Sequence, residues 1–241
     1  MAASASTPGT PSAAPLHPPM AAIDVLALQD RLLAQPDWPP VAEPHPAVAQ
    51  ACASDATGAQ ALWYWVSTNH RYNSLLWGQE DLARRTQVAD ADIAANKRSI
   101  DRYNQARNDA TERVDEWLLQ SLGLVDTQSA RSDAPQSCAP AGARLNSETA
   151  GSMVDRLSIM ALKVHAMRQQ TQRQDVDETH RAASRVKLER LEEQRRDLAG
   201  CLDALLADSL VGCAYFKVYR QFKMYNDPRF NPVLVAEAAK R

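Results

Sequence analysis

The chain has 241 residues, 45% of them apolar and 23% charged, which allows a sizeable core and is ordinary for a soluble globular protein. Its 27 basic and 29 acidic residues leave a formal charge of -2, so no global field draws it to nucleic acid or to an anionic membrane, and any anion site has to be local. Cys52, Cys138, Cys201 and Cys213 form no CxxC pair and have no histidine at metal-ligand spacing, which argues against a zinc knuckle and fits a reduced, cytoplasmic setting.

Residues 1–20 mix Ala, Ser, Pro and Thr without lysine or arginine. Such a stretch buries too little to offset the entropy of ordering, so a disordered tail is predicted, without the basic and apolar regions of an export signal. The apolar segment from Ala21 to Gln35 predicts one short helix, and the prolines at 36, 39, 40, 44 and 46 then read as an extended connector. A single helical domain is expected over 46–235, with a tail at 236–241. Apolar residues recur at helical spacing from Ala59 to Arg85 and from Asp90 to Leu122, with Asp90 as N-cap and Gly123 as terminator of the second run. Residues 126–144, rich in Ser, Pro, Ala and Gln, predict a flexible loop. Ser152 and Asp155 suggest a capping pair for a helix to about Gln174, a further helix covers Glu178 to Val211, and a last one runs from Gly212 to Tyr225 until Asn226-Asp227-Pro228 stops it. No useful β-alternation and no spanning apolar run occur. The expected fold is all-α, an antiparallel bundle of four long helices with short extra helices at both ends and no membrane insertion.

Polar residues interrupt these apolar stripes. The second long helix carries Ile93, Ile100, Arg107 and Val114 at heptad spacing, with Asn104 one turn before the arginine. The helix before it carries Leu62, Val66, Asn69, Asn73, Leu76 and Glu80, with His70 beside the stripe and Trp63, Trp65 and Trp77 on the same helix. A buried Arg107 needs Glu80, Asp115, Asp155 or an anionic ligand as counter-charge; the bland alternative is a structural network. In the following helix Met153, Leu157, Met160, Val164 and Met167 form an apolar seam flanked by Asp155, Arg156 and Lys163. The segment from Lys217 to Pro232 concentrates Phe222, Tyr219, Tyr225 and Phe230 with Arg220, Lys223 and Arg229, which suits either anion binding or docking of a last helix through Tyr215, Tyr219 and Phe222.

Familiar enzyme patterns are missing. No histidine lies three residues after a glutamate, so a di-metal carboxylate bundle and metal ligation in general are not expected. Paired acids occur at Glu112 and Asp115 and at Glu189, Glu192 and Glu193, and the latter three, off the Leu188, Leu191, Leu198 stripe, read as a solvated face. There is no phosphate-cradling glycine loop and no G-x-S-x-G elbow, and Ser158, Cys201 and Cys213 have no base beside them in sequence.

Four blocks carry a resemblance: Asn69 to Asn73 with Trp77 to Asp81, Ile100 to Asp109, Leu145 to Ser152 with Asp155 to Ser158, and Lys217 to Pro228. In this order they resemble the bacterial family known as domain of unknown function 4254, over about Gly58 to Leu234. Ala150 stands where many relatives are expected to have proline, and the stretch from Asp126 to Ala143 looks lengthened. The resemblance implies a helical protein of no established activity, often encoded among genes for lipopolysaccharide or other envelope-glycan assembly. The blocks hold His70, Asn73, Asn104, Arg107, Asn146, Glu148, Asp155, Arg156, Arg220, Lys223 and Asn226, to which the flanking Lys163 is added as a ligand-binding candidate; Glu80, Glu148 and Asp155 are the candidate acids or bases. Amides and carboxylates bind hydroxyls, and arginine and lysine bind phosphate. The leading expectation is a cytoplasmic accessory protein of envelope-glycan synthesis that binds a phosphorylated sugar, a nucleotide sugar or a glycosyltransferase. An enzyme acting on such a ligand, or a structural adaptor docking partners through its C-terminal segment, are the alternatives. The sequence names no cofactor. A ligand cleft requires Arg107, Arg156 and Arg220 to converge on one concavity; an adaptor requires an exposed, flat surface over Tyr215 to Phe230.

Overall fold

Two helical hairpins, laid against each other, form the body of the protein. The computed structural model describes residues 17–40, 58–220 and 227–240. Its elements in chain order are α1 (Ala22–Leu33), α2 (Gly58–Ala83), α3 (Asp90–Ser121), β1 (Arg144–Leu145), α4 (Ala150–Gln172), α5 (Glu178–Leu210), β2 (Ala214–Tyr215) and α6 (Pro232–Ala238). The predominantly helical fold with four long helices is the expected one. α2 packs chiefly on α3 and α4 on α5. Each pair is antiparallel: Asn69 of early α2 donates to Thr111 of late α3 at 3.0 Å, whereas Arg85, just past α2, donates to Asn96 near the start of α3 at 3.2 Å. No helix among the described residues is long and apolar enough to cross a membrane.

Local signals account for most helix ends. Thr149, not Ser152, caps α4, accepting from the Ser152 amide at 3.1 Å, and Asp177 caps α5 by accepting from His180 N at 2.7 Å. α3 begins without a side-chain cap after Ala89; Asp90 and Asp92 lie inside its first turn, where negative charge meets the exposed amides. Gly212, at φ 76°, ends α5 in the left-handed conformation that costs glycine nothing.

That glycine also overturns the helix expected from Gly212 to Tyr225. The chain turns there and runs extended: β2 pairs in parallel with β1, and Phe216 and Val218 point inward while Tyr219 is exposed. Aromatic and β-branched residues favour this period of two once a helix stop precedes them. Phe222, Tyr225 and the other residues of 221–226 lie outside the described residues. The loop after α3 is closed by antiparallel backbone bonds, Cys138 N to Leu124 O at 2.9 Å and Asp126 N to Gln136 O at 3.0 Å.

The main core joins Val25 of α1, Leu62 and Val66 of α2, Val114 and Leu118 of α3, Leu157 of α4, Leu202 and Leu206 of α5, and Phe216. A separate small cluster of Leu75, Leu76, Ile100 and Tyr103 fills the far end of the α2–α3 hairpin. Along α2 the buried polar residues Asn69, His70, Asn73 and Ser74 lie between the two clusters. Packing begins well before Pro46. Asp203 of α5 accepts from the Ala22 amide at 2.7 Å, the buried Arg195 meets Asp30 at 2.7 Å, and Trp38, from the proline-rich connector, stacks on His70 with ring centroids 5.5 Å apart. These partners come from α2 and α5, so the local sequence around Pro36 could not announce them.

Candidate functional site

A polar layer forms where α2 faces α4. Asn69 and Asn73 each donate to Asp155 Oδ1 at 2.8 Å, and Asn73 also donates to Ser158 Oγ at 3.0 Å. Ser158 Oγ lies 2.8 Å from His70 Nδ1. Which of the two donates depends on the imidazole tautomer, since a hydroxyl can both donate and accept. Burial, reinforced by the positive charge of Arg195 and opposed by the Gln29 backbone, pushes His70 down to about 3, so the ring is neutral at physiological pH. A serine beside a neutral histidine is the chemistry of an activated nucleophile. Here both side chains are fully buried, with Trp38 stacked on the imidazole, so substrate has no approach and the pair serves as a packing link. His70 therefore has the partner it needs, in a residue 88 positions away.

Next to this layer a cavity of about 380 Å³ opens between α2, α3 and α4. Its walls carry Asn73, Trp77 and Glu80 from α2, Arg84 just past its end, Asn104 and Arg107 from α3, and Ile159 and Leu162 from α4. Arg107 is held loosely. Its Nη2 donates to the neighbouring Asn108 at 3.0 Å, and its Nε, 3.9 Å from Asp155 Oδ1, makes no hydrogen bond. The counter-charge is thus one of the acids expected from the sequence, at a distance that leaves guanidinium donors available. Glu80 is half exposed and lies 3.6 Å from Arg84.

Other expected site residues lie elsewhere. Asp155 and Arg156, adjacent on α4, diverge by a helical step of about 100°. Arg156 and Lys163 line a second concavity, of about 610 Å³ between α4 and α5, together with Glu148. There Arg156 Nη1 reaches both carboxylate oxygens of Glu148 at 2.8 Å. Asn146 shapes the turn into α4, accepting from Arg144 at 3.1 Å and donating to the Glu148 carbonyl at 2.7 Å. Arg220 is consumed structurally: it meets Glu112 at 2.9 Å and the buried Glu116 at 2.6 Å, and donates to the Ser132 and Ala130 carbonyls at 3.0 Å each. Arg107, Arg156 and Arg220 thus line three different concavities rather than one. Lys223 and Asn226 lie outside the described residues. Among the described residues no group of His, Cys, Asp or Glu is placed to hold a metal ion.

The residues that form the polar layer and the cavity match a known pattern. The model of the family described as protein of unknown function (DUF4254) covers residues 63–218. The chain belongs to this family. No curated protein and no solved structure matches it. The DUF4254 span takes in α2 to β2 with Arg107, Asp155 and Ser158, while α1 and Trp38 precede it.

Three contributors escaped the sequence reading. Ser158 follows Leu157 on the buried face of α4, and a small hydroxyl at core phase was its only signal. Asn69 was visible as a stripe residue but not as a ligand of Asp155. Trp77, 37% exposed within the cavity wall, looked like one more packing aromatic on a Trp-rich helix.

Proposed function

We propose that this DUF4254 protein is an accessory protein of envelope-glycan synthesis that binds a phosphorylated sugar or nucleotide sugar in the α2–α3–α4 cavity. The observation that carries the reading is Arg107: a quarter-exposed guanidinium, hydrogen-bonded to Asn108 and 3.9 Å from Asp155, at the wall of a cavity of about 380 Å³ that also presents Asn104, Glu80 and the half-buried Trp77. Cavities of this size with a few convergent polar groups are where small ligands bind. The link to envelope glycans rests on the family resemblance and a cytoplasmic site of action on the cysteine pattern, and a glycosyltransferase as recipient of the ligand is the matching partner class.

A catalytic role has less support. Glu148 has both oxygens engaged by Arg156, and Asp155 accepts from two amides beside Arg107, which leaves Glu80 as the accessible acid. Binding is tested by thermal denaturation of the full chain against sugar phosphates and nucleotide sugars. A ligand at about a hundred times its dissociation constant adds about 2.7 kcal/mol, enough to raise the midpoint visibly. The expected result is a rise in the wild type that Arg107→Ala reduces; no rise with any compound of these classes would sink the proposal.

A further inference from the structure

We propose that the cavity reads a sugar ring rather than a diphosphate: its occupant is a hexose, free or carrying a single phosphate, with the ring laid on Trp77. This rests on the ligand-binding reading above and narrows it.

Along α2, Asn73, Trp77 and Glu80 follow at successive turns, so they share one face over about 10 Å, and Arg84 stands just past the helix end. Leu76 and Leu162 in the same wall are buried, whereas the Trp77 indole is 37% exposed. An indole left open to solvent midway along a cavity offers a flat apolar surface, and the C–H face of a pyranose matches it in shape and polarity. Around that surface stand groups suited to hydroxyls. Glu80 and Asp81 accept, and Asn104, whose amide makes no hydrogen bond among the described residues, can both accept and donate.

Charge balance decides against a diphosphate. Glu80 and Asp81 offset Arg84 and Arg107 in the lining, and the Asp155 carboxylate stands behind Arg107 at 3.9 Å. Arg84 is already drawn to Glu80 at 3.6 Å and Asp81 at 3.8 Å. A nucleoside diphosphate would bring at least two negative charges into a wall with no positive excess. A hexose brings none, and a hexose monophosphate, at about −1.5 to −2, brings less charge than a nucleoside diphosphate and places it on a single group beside Arg107.

Calorimetric titration of the full chain with a panel of free hexoses, hexose 1-phosphates, uridine diphosphate and guanosine diphosphate tests this. The expected result is that one hexose and its 1-phosphate bind within about tenfold of each other while both nucleotides bind at least tenfold more weakly, the selectivity of a site built for hydroxyls. Trp77→Ala weakens the hexose by about tenfold, and Trp77→Phe, which keeps an aromatic face, retains binding within about threefold. The comparison of probes on the wild type stands even if Trp77→Ala fails to fold. A nucleotide that binds as tightly as the hexose phosphates, with Trp77→Phe and Trp77→Ala alike unaffected, overturns the ring assignment and leaves the cavity as a phosphate site. Absence of binding by every probe overturns both readings.

Discussion

Arg107 and the residues that hold Arg220 lie on the same helix, Glu112 and Glu116 being five and nine positions further on, yet they belong to opposite regimes. At the Arg220 end, Glu112 and Glu116 of α3 meet a guanidinium that makes four hydrogen bonds, to two carboxylates and two loop carbonyls. Glu116 is nearly inaccessible and is also reached by Arg113 at 2.6 Å. At the Arg107 end the guanidinium is a quarter exposed, its carboxylate is 3.9 Å away and its Nε has no hydrogen-bond partner. Both arginines sit in stretches rich in polar residues. What separates a structural cation from a site cation is the count of partners around it, which residue type and spacing do not reveal.

The largest effect should come from breaking the saturated side. Arg220→Ala leaves buried Glu116 with less compensation and frees the loop it clamps, so unfolding stability should drop by about 3–5 kcal/mol, read by denaturant titration. Next is Gly151, at the start of α4. A Cβ there would lie 2.6 Å from the Thr111 carbonyl and 2.8 Å from Asp115 Cγ, so Gly151→Ala should cost about 1–3 kcal/mol by forcing α3 and α4 apart.

A pH effect sharpens the contrast at the same end of the molecule. Burial, against the pull of Thr149 and the Gly151 amide and with help from Glu112 and Glu116, pushes Asp115 up to about 7 from 3.8. A raised acid favours the folded state while protonated, so its contribution is full below about 4 and is lost as pH climbs through about 7. Asp115→Asn keeps an acceptor for Gly151 N and should therefore be more stable than the wild type at pH 8, by an amount on the order of 1 kcal/mol. His70 acts in the opposite sense. Its depressed value removes stability as pH falls from 6.5 towards about 3, so the asparagine variant should show acid loss without the neutral-pH decline. Melting temperatures from pH 4 to 8 decide it. Smallest in stability is Arg107→Ala, which should cost less than about 1 kcal/mol because the pair it breaks is long and partly solvated. Its effect should appear in the ligand-induced thermal shift instead; an apo-protein loss as large as that of Arg220→Ala would erase the contrast.

The long helices were legible because a period of 3.6 sustained over twenty or more residues has no competing reading: α3 was expected at Asp90 to Leu122 and spans Asp90–Ser121. The C-terminal segment was not. Tyr215 and Tyr219 are spaced by four, which satisfies a helical face and a strand face alike, and only the backbone at Gly212 resolves it. Of the site, the α2 and α3 polar stripes could be read from phase, while the partner of Arg107 was narrowed only to Glu80, Asp115, Asp155 or a ligand until the geometry singled out Asp155. The division of the predicted cleft could not, because Asp155 and Arg156 are neighbours in sequence and the side each faces depends on how α4 is rotated between α2 and α5. The Ser158–His70 pair was invisible for the same reason: periodicity says that a residue is inside, and the crossing of two helices says what it meets there.

The parallel ladder of β1 and β2 has a kinetic consequence. It joins Arg144 to Ala214 and Leu145 to Tyr215, closing about seventy residues of chain into a lasso whose body is the α4–α5 hairpin. Loop closure over that length costs about 4 kcal/mol on the logarithmic scaling alone, more than a two-residue ladder returns by itself. The hairpin has to assemble first and deliver the two ends to each other. The ladder and the Arg220 clamp beyond it are then late-forming contacts, so lesions there should hasten unfolding while leaving the rate of folding nearly untouched.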